Sequence, residues 1–194
     1  MTFVRAGAED LSPLADGSVD AVTTRSVIIY VKPKRQAFEE FFRVLGSGGR
    51  LSTFEPINRF NQPLSASVSY EGFDMTPVLD IYRRIRDFYA ALQPPDSDPM
   101  LDFDERDLIQ FADAAGFRSI ALEYHAEIGP PKEQRTWERA IRGAWNPKVP
   151  TLEEAMQRLL TSDEIDHYTN YLRPLIESDA GRSRNAYAFL SATK

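Results

Sequence analysis

Polar side chains collect at two points of the chain where apolar runs end. Thr24 and Arg25 close a β-branched run, and Glu55, Asn58 and Arg59 close a later one. Ligands of open α/β sheets bind at the carboxyl ends of the strands. Carboxylate, amide and guanidinium groups at these positions therefore suit the binding of a polar small molecule. The alternative is that they are solvated charges in ordinary turns.

Histidine is the side chain best suited to proton transfer near neutral pH. His125 stands beside Glu123 and Glu127 on a predicted strand, so it could act as a general base; the alternative is a surface or hydrogen-bonded histidine. His167 is the other of the 2 histidines, and the chain contains no cysteine. We therefore expect no metal site, no disulfide and no thiolate nucleophile.

Composition narrows the class of protein. The 194 residues are 42% hydrophobic and 27% charged, with a formal net charge of −6, as in a globular domain with a real core. An acidic balance argues against non-specific nucleic-acid binding, which needs basic patches. No apolar run approaches about 18 residues, and no signal peptide is recognisable. We expect a cytoplasmic protein with no membrane or nucleic-acid partner.

The first third of the chain predicts alternating strands and a helix. Strands are expected at residues 2–5, 19–24 and 50–55, with the second covered on both faces because it is β-branched and apolar. A helix follows Pro33, and its stripe of aromatic and leucine side chains recurs at helical spacing. Residues 46–49 are expected to end it. A strand, a helix and a strand in this order indicate a right-handed parallel crossover.

The remainder of the chain predicts two helical stretches, near residues 60–100 and 128–182, inserted into one domain that spans residues 1–194. Between them, Asp104 is expected to cap a helix that ends at Gly116, followed by a strand at 119–125. Two capping boxes begin further helices, and residues 185–192 form a last strand. The capping pairs are Thr151 with Glu154 and Thr161 with Glu164.

Two motifs together resemble class I S-adenosylmethionine-dependent methyltransferases. The first is the run Ala-Glu-Asp-Leu at residues 8–11 with Asp-Gly-Ser-Val-Asp at 16–20, and the second is Val-Leu-Gly-Ser-Gly-Gly-Arg at 44–50. Phe-Glu-Pro-Ile-Asn-Arg at 54–59 is similar to a subgroup that acts on small molecules. The resemblance implies an α/β, Rossmann-like sheet that is mostly parallel with the last strand antiparallel, and helical insertions.

The resemblance also implies a strand order. The family's sheet has the order 3-2-1-4-5-7-6, and the five predicted strands correspond to its third to seventh strands. The family's first two βα units, with the glycine-rich first motif, have no counterpart here. We therefore expect a partial domain, truncated at its N-terminal side, whose 19–24 strand is an open edge. Such an edge can pair with another chain, so self-association is expected.

By resemblance, cofactor-binding residues are Ala8, Glu9 and Asp10 against adenine, and Thr24 and Arg25 beside the methionine part. Glu9 and Asp10 could instead be ordinary turn carboxylates. Gly7 departs from the family, where many members carry an aspartate. The predicted substrate-binding residues at the strand ends are Glu55, Asn58, Arg59 and Tyr30. Two further aromatics, Tyr70 and Tyr82, could line the acceptor pocket or belong to the core.

The function implied is methyl transfer from S-adenosylmethionine to a small molecule, impaired in a chain that lacks the glycine-rich motif. The enzyme would supply position and, where needed, a base, since the cofactor carries the activated methyl group. One alternative is a non-catalytic remnant that binds a partner. A nicotinamide-dependent enzyme would need its own Gly-x-Gly-x-x-Gly after a strand, and the sequence contains none.

Overall fold

A computed structural model describes residues 3–61, 69–131, 133, 135–144, 149–178 and 180–194. The chain divides into two compact units. Unit 1 comprises Met1–Asn61, Pro95–Ala126 and Asn185–Lys194, and unit 2 comprises Gln62–Pro94 and Glu127–Arg184. The boundaries lie near those of the two helical stretches expected from sequence. That these stretches are insertions on a single domain stays a prediction.

Unit 1 is built on a four-stranded sheet of β1 (Val19–Arg25), β2 (Leu45–Pro56), β5 (Arg118–Gly129) and β6 (Ser183–Thr193), in the order β1-β2-β6-β5. β1 and β2 are parallel, and β2 and β6 are antiparallel. This is the order 4-5-7-6 that the resemblance implied, and the mixed α/β fold class is confirmed. The helices of unit 1 are α1 (Lys34–Val44) and α3 (Glu105–Ala115).

One face of this sheet forms the core of unit 1. Leu51, Ala188 and Leu190 are buried against Phe38 of α1 and Leu108 of α3. Side chains alternate between the two faces of a strand, so the residues between these point to the opposite face. That face is more open: Phe189, which lies between the buried Ala188 and Leu190, is 45% exposed.

Short-range signals at the ends of α3 are confirmed. The Asp104 carboxylate accepts hydrogen bonds from the amides of Arg106 and Asp107, and Asp107 bonds back to complete a capping box. Gly116 ends the helix with φ 97°, a left-handed conformation that glycine adopts without steric cost.

Three expectations about the first third of the chain are wrong. Residues 3–5 are not a strand, since no described strand lies beside them to pair with, and Phe3 is 88% exposed; residue 2 lies outside the described part. β1 alternates between partly buried and exposed residues, because α1 and α3 cover only one face. Helix α1 ends at Val44, and residues 46–49 already belong to β2. The last turn of α1 is bonded instead by Gly17, whose amide donates to the carbonyl of Arg43 at 2.9 Å.

Unit 2 is mainly helical. It contains α2 (Leu79–Leu92), α4 (Trp137–Arg142), α5 (Leu152–Leu159), α6 (Ser162–Glu177) and the hairpin of β3 (Ser69–Tyr70) with β4 (Phe73–Asp74). Both predicted capping boxes are confirmed, at the first residues of α5 and α6. Its own apolar core includes Tyr82, Trp137 and Leu172. Among the described residues, no helix has the length and apolar content needed to cross a lipid bilayer.

Candidate functional site

The acidic run predicted to bind adenine forms a tight turn in unit 1. The amide of Asp10 donates to the carbonyl of Gly7 at 3.1 Å, and the Asp10 carboxylate accepts from the amide of Ser12 at 3.1 Å. Ala8 and Glu9 are partly buried and Asp10 is exposed. The Asp10 carboxylate is therefore hydrogen-bonded to the backbone of the turn itself, as in an Asx turn.

Helix α1 holds this turn and the chain after it through two ionised side chains. The Glu40 carboxylate accepts from the amide of Leu11 at 2.6 Å. The Arg43 guanidinium donates to the carbonyls of Leu11 and Leu14, each at 2.9 Å. It also pairs with Glu40 at 2.7 Å and with Asp16 at 2.6 Å. Charge-assisted hydrogen bonds of this kind are about twice as strong as neutral ones.

A third polar residue of α1 completes the support. The Gln36 side-chain amide donates to the carbonyl of Glu9 at 2.9 Å. Sequence reasoning missed Gln36, Glu40 and Arg43. They were detectable in principle, because they stand at i, i+4 and i+7, so they form one polar stripe beside the apolar stripe of α1.

Replacing Glu40 with glutamine should destabilise unit 1 by about 2 kcal/mol at pH 7, the usual value of hydrogen bonds to a charged group. The pKa of Glu40 lies below its ordinary value of 4.5, chiefly because Arg43 donates a hydrogen bond to it. A carboxylate whose pKa is lowered by folding stabilises the folded state at pH values above its unfolded-state pKa. This stabilisation is lost as the pH falls through the folded-state pKa. Urea denaturation at several pH values should show the difference between Glu40→Gln and the wild type shrinking below about pH 4.

The matched control for this experiment is Glu39→Gln, since Glu39 neighbours Glu40 on α1 and is exposed. Its stability should stay within about 0.5 kcal/mol of the wild type at every pH. Equal losses for the two variants, or a Glu40 effect that grows on acidification, would contradict the role of Glu40 as the ionised support of the turn.

The carboxyl end of β1 is the second part of the site. Thr24 lies opposite Thr53 of β2, and Arg25 lies opposite Phe54, with the guanidinium carbon 5.1 Å from the centre of the Phe54 ring. The next residue, Ser26, has φ 52°, a conformation that costs a non-glycine residue free energy and persists only where its surroundings impose it. Here the Ser26 amide donates to the carbonyl of Phe54 at 2.8 Å.

Glu55 is fully buried at the end of β2. Its carboxylate accepts hydrogen bonds from the amides of Val27, Ile28 and Ile29 at 3.1, 3.0 and 3.2 Å. Burial raises the pKa of Glu55, while these amides and the charge of Lys34 act in the opposite direction. The carboxylate thus serves backbone groups of the chain, and its predicted contact with substrate stays a prediction.

The other predicted substrate residues surround these strand ends. Asn58 and Arg59 begin a short 3-10 helix, Asn58–Asn61, one residue after the end of β2. Asn58 is partly buried and Arg59 is exposed. Tyr30 ends the 3-10 helix Ile28–Tyr30 that follows β1 and is 50% exposed. The parallel pairing of β1 and β2 brings both short helices to the same edge of the sheet.

The remaining candidates lie elsewhere. Tyr82 and Tyr70 belong to unit 2, where Tyr82 is buried in the core and its hydroxyl donates to the carbonyl of Ser69 at 3.2 Å. His125 is exposed on the open face of β5, 3.7 Å from Glu123 and stacked on the Tyr187 ring. His167 is an exposed residue of α6. The structure thus groups the strand-end residues within unit 1, whereas Tyr70, Tyr82 and His167 belong to unit 2.

Comparison with known proteins finds methyltransferases that are similar to this chain. Residues 1–53 match the family described as a methyltransferase domain. The chain is 31% identical to the ubiquinone/menaquinone biosynthesis C-methyltransferase UbiE of Klebsiella pneumoniae (strain 342) over 124 residues. These residues make up 63% of this chain. The same alignment covers 47% of that enzyme, so the chain spans about half the length of this curated relative.

Solved structures of methyltransferases are also similar. A putative methyltransferase of Bacillus halodurans C-125 has 15% identity and a TM-score of 0.49, covering 99% of this chain and 76% of that one. Phosphoethanolamine N-methyltransferase 2 of Haemonchus contortus has 15% identity and a TM-score of 0.44, covering 93% and 35%.

The strand order defines a mixed, Rossmann-like α/β sheet, and the acidic turn lies within the matched residues 1–53. Together with the family match over residues 1–53 and the UbiE alignment, they support the resemblance of this chain to the class I S-adenosylmethionine-dependent methyltransferases.

Proposed function

We propose that this chain provides the adenine edge and one wall of the acceptor pocket of an S-adenosylmethionine-dependent methyltransferase that acts on a small molecule. The observation that carries the proposal is the turn at residues 7–11, held within the family match by three side chains of α1: Gln36 bonds the carbonyl of Glu9, and Glu40 and Arg43 bond the backbone of Leu11. A turn that is already held in one conformation loses less conformational entropy when it binds a ligand.

The residues divide into two groups by position. Ala8, Glu9 and Asp10 contact the adenosine of the cofactor, and Thr24 and Arg25 lie beside its methionine part. Tyr30, Asn58 and Arg59 face the acceptor. S-adenosylmethionine supplies an activated methyl group when bound, so the work of these side chains is to orient the acceptor and exclude water. The name of the Klebsiella relative, a quinone-biosynthesis enzyme, supports a small-molecule acceptor.

Titration of ¹⁵N-labelled protein with S-adenosylhomocysteine tests the proposal. We expect amide shifts at residues 8–10 and 24–26, and a smaller shift at the Tyr30 amide in the connection that follows β1, with a dissociation constant of about 1 mM, equivalent to roughly −4 kcal/mol. Binding should be weak because no Gly-x-Gly follows a strand in the sequence to hold the methionine end. Adenosine alone should shift residues 8–10 and leave 24–26 unchanged.

The double variant Glu9→Gln/Asp10→Asn should reduce the shifts, and Glu39→Gln on the exposed side of α1 should leave them as they are. The absence of any shift at residues 8–10 in folded wild-type protein would contradict the proposal. Shifts spread evenly over both units would also contradict it, because they would indicate non-specific contact.

A second candidate is a partner-binding module, favoured by the open face of the sheet. Phe54 and Phe189 lie opposite each other, with ring centres 5.0 Å apart, and Tyr187 is 5.6 Å from Phe54. Within the described residues, β1 bonds only to β2 and is therefore an open edge able to pair with another chain. Sedimentation of the same samples would support self-association if the mass rose with concentration while the cofactor gave no shifts.

A further inference from the structure

The connection between β1 and α1, residues 26–33, begins at a buried negative charge. The Glu55 carboxylate accepts the amides of Val27, Ile28 and Ile29. These amides open a short 3-10 helix, whose first N–H groups have no partner within the helix. A carboxylate has two acceptor oxygens and can serve all of them, whereas a carboxamide has only one.

The same connection ends at a buried positive charge. The Lys34 ammonium donates to the carbonyls of Val31 and Pro99, each at 2.9 Å, and to the Asp102 carboxylate at 2.6 Å. It also lies 4.9 Å from the centre of the Phe103 ring. An ammonium group has three donors, and here each has an acceptor. The Val31 carbonyl of the connection is thereby tied to the segment that leads into α3.

Between these two charges the side chains divide sharply. Ile28, Ile29 and Val31 are buried in the core of unit 1, whereas Tyr30 is 50% exposed. Because the amides of residues 27–29 and the carbonyl of Val31 are bound, and the side chains on either side are packed, the backbone at Tyr30 has little freedom. The connection presents one aromatic side chain at the edge of the sheet where β1 ends.

We propose that Glu55 and Lys34 are positioning residues that fix the two ends of this connection and thereby hold Tyr30 at the candidate site. The inference rests on the proposed function, since it assigns Tyr30 to the acceptor side of that site. Glu55 then acts on the site through three backbone amides and does not touch the substrate. Its burial and the number of its amide partners favour this role over the direct contact expected from sequence.

The test compares Glu55→Gln with the wild type and with Glu123→Gln, a control in which the carboxylate is exposed on β5. In Glu55→Gln, hydrogen exchange at the amides of residues 27–29 should be about tenfold faster, because a charged acceptor is lost. Shifts induced by S-adenosylhomocysteine should persist at residues 8–10 and fall at least about threefold at the Tyr30 amide, since the binding edge is intact but the connection is loose. Lys34→Met should lower the shift at Tyr30 in the same way, because it releases the Val31 carbonyl at the other end of the connection.

The outcomes separate this inference from the proposed function. Failure of the wild type to bind S-adenosylhomocysteine would refute the proposed function, while exchange at residues 27–29 would still decide whether Glu55 holds the connection. Unchanged exchange in Glu55→Gln would overturn the positioning role, and so would faster exchange with an undiminished shift at Tyr30. If Glu55→Gln does not fold, the wild type decides: exchange at residues 27–29 as fast as at residues 3–6 would overturn the proposal.

Discussion

Phe38→Ala should lower the free energy of unfolding by about 3–5 kcal/mol, the usual result of truncating a buried aromatic side chain. Phe38 is fully buried on α1, and its ring centre lies 5.9 Å from that of Phe41 and 5.8 Å from that of Phe111. Its removal leaves a cavity where α1 and α3 meet in the core, and neighbours on packed helices relax into such a cavity only in part. Chemical denaturation followed by far-ultraviolet circular dichroism measures the change.

Phe189→Ala is the matched control, because it makes the same substitution on the open face of the sheet. Phe189 is 45% exposed and keeps ring contacts with Phe54 and Tyr187, so its loss should cost below about 1.5 kcal/mol. Equal losses for the two variants would mean that the open face is as well packed as the core, and that the single covered face described above is wrong.

Lys34→Met should destabilise unit 1 by about 3 kcal/mol, the lower end of the range for breaking a buried ion pair. The methionine side chain retains the apolar stem but leaves the carbonyls of Val31 and Pro99 and the Asp102 carboxylate without their shared donor. Buried acceptors left without a donor account for most of this loss. Asp102 is 22% exposed and can recover some hydration, which is why the lower end of the range is expected.

The control here is Lys32→Met, which removes an exposed lysine from the same connection and should change stability by no more than about 0.5 kcal/mol. A double-mutant cycle with Asp102→Asn isolates the pair. The losses should be less than additive by about 1 kcal/mol or more, since both variants break one network. Strict additivity, or a Lys34 effect equal to that of Lys32, would contradict the buried pair.

The features that sequence predicted well are those decided over a few residues. The caps at Asp104, Thr151 and Thr161 are present because side chain and amide partners stand within three residues of each other. The end of α3 at Gly116 follows from backbone sterics alone. Strand order was reached by a different route, through resemblance to a family, since no local signal specifies which strands become neighbours.

Predictions failed where an element depends on what lies beside it. Apolar, β-branched residues predicted a strand at 2–5, but a strand needs a neighbour for its backbone groups, and none lies beside residues 3–5 among those described. The same dependence explains β1, whose composition is that of a doubly covered strand. Only one of its faces is covered in unit 1, so its outward residues are exposed.

The sequence by itself determined the types and spacing of the site residues, the helix caps and the acidic turn, because these follow from short-range hydrogen bonding and periodicity. Only the tertiary structure decided what Glu55, Glu40 and Lys34 do. Glu55 meets amides 26–28 residues earlier in the chain, Glu40 meets one 29 residues earlier, and Lys34 meets a carboxylate 68 residues later. A buried charge must be paired or hydrogen-bonded, and its partners here are far away in sequence. Which groups become its partners is therefore decided by the packing of the whole unit.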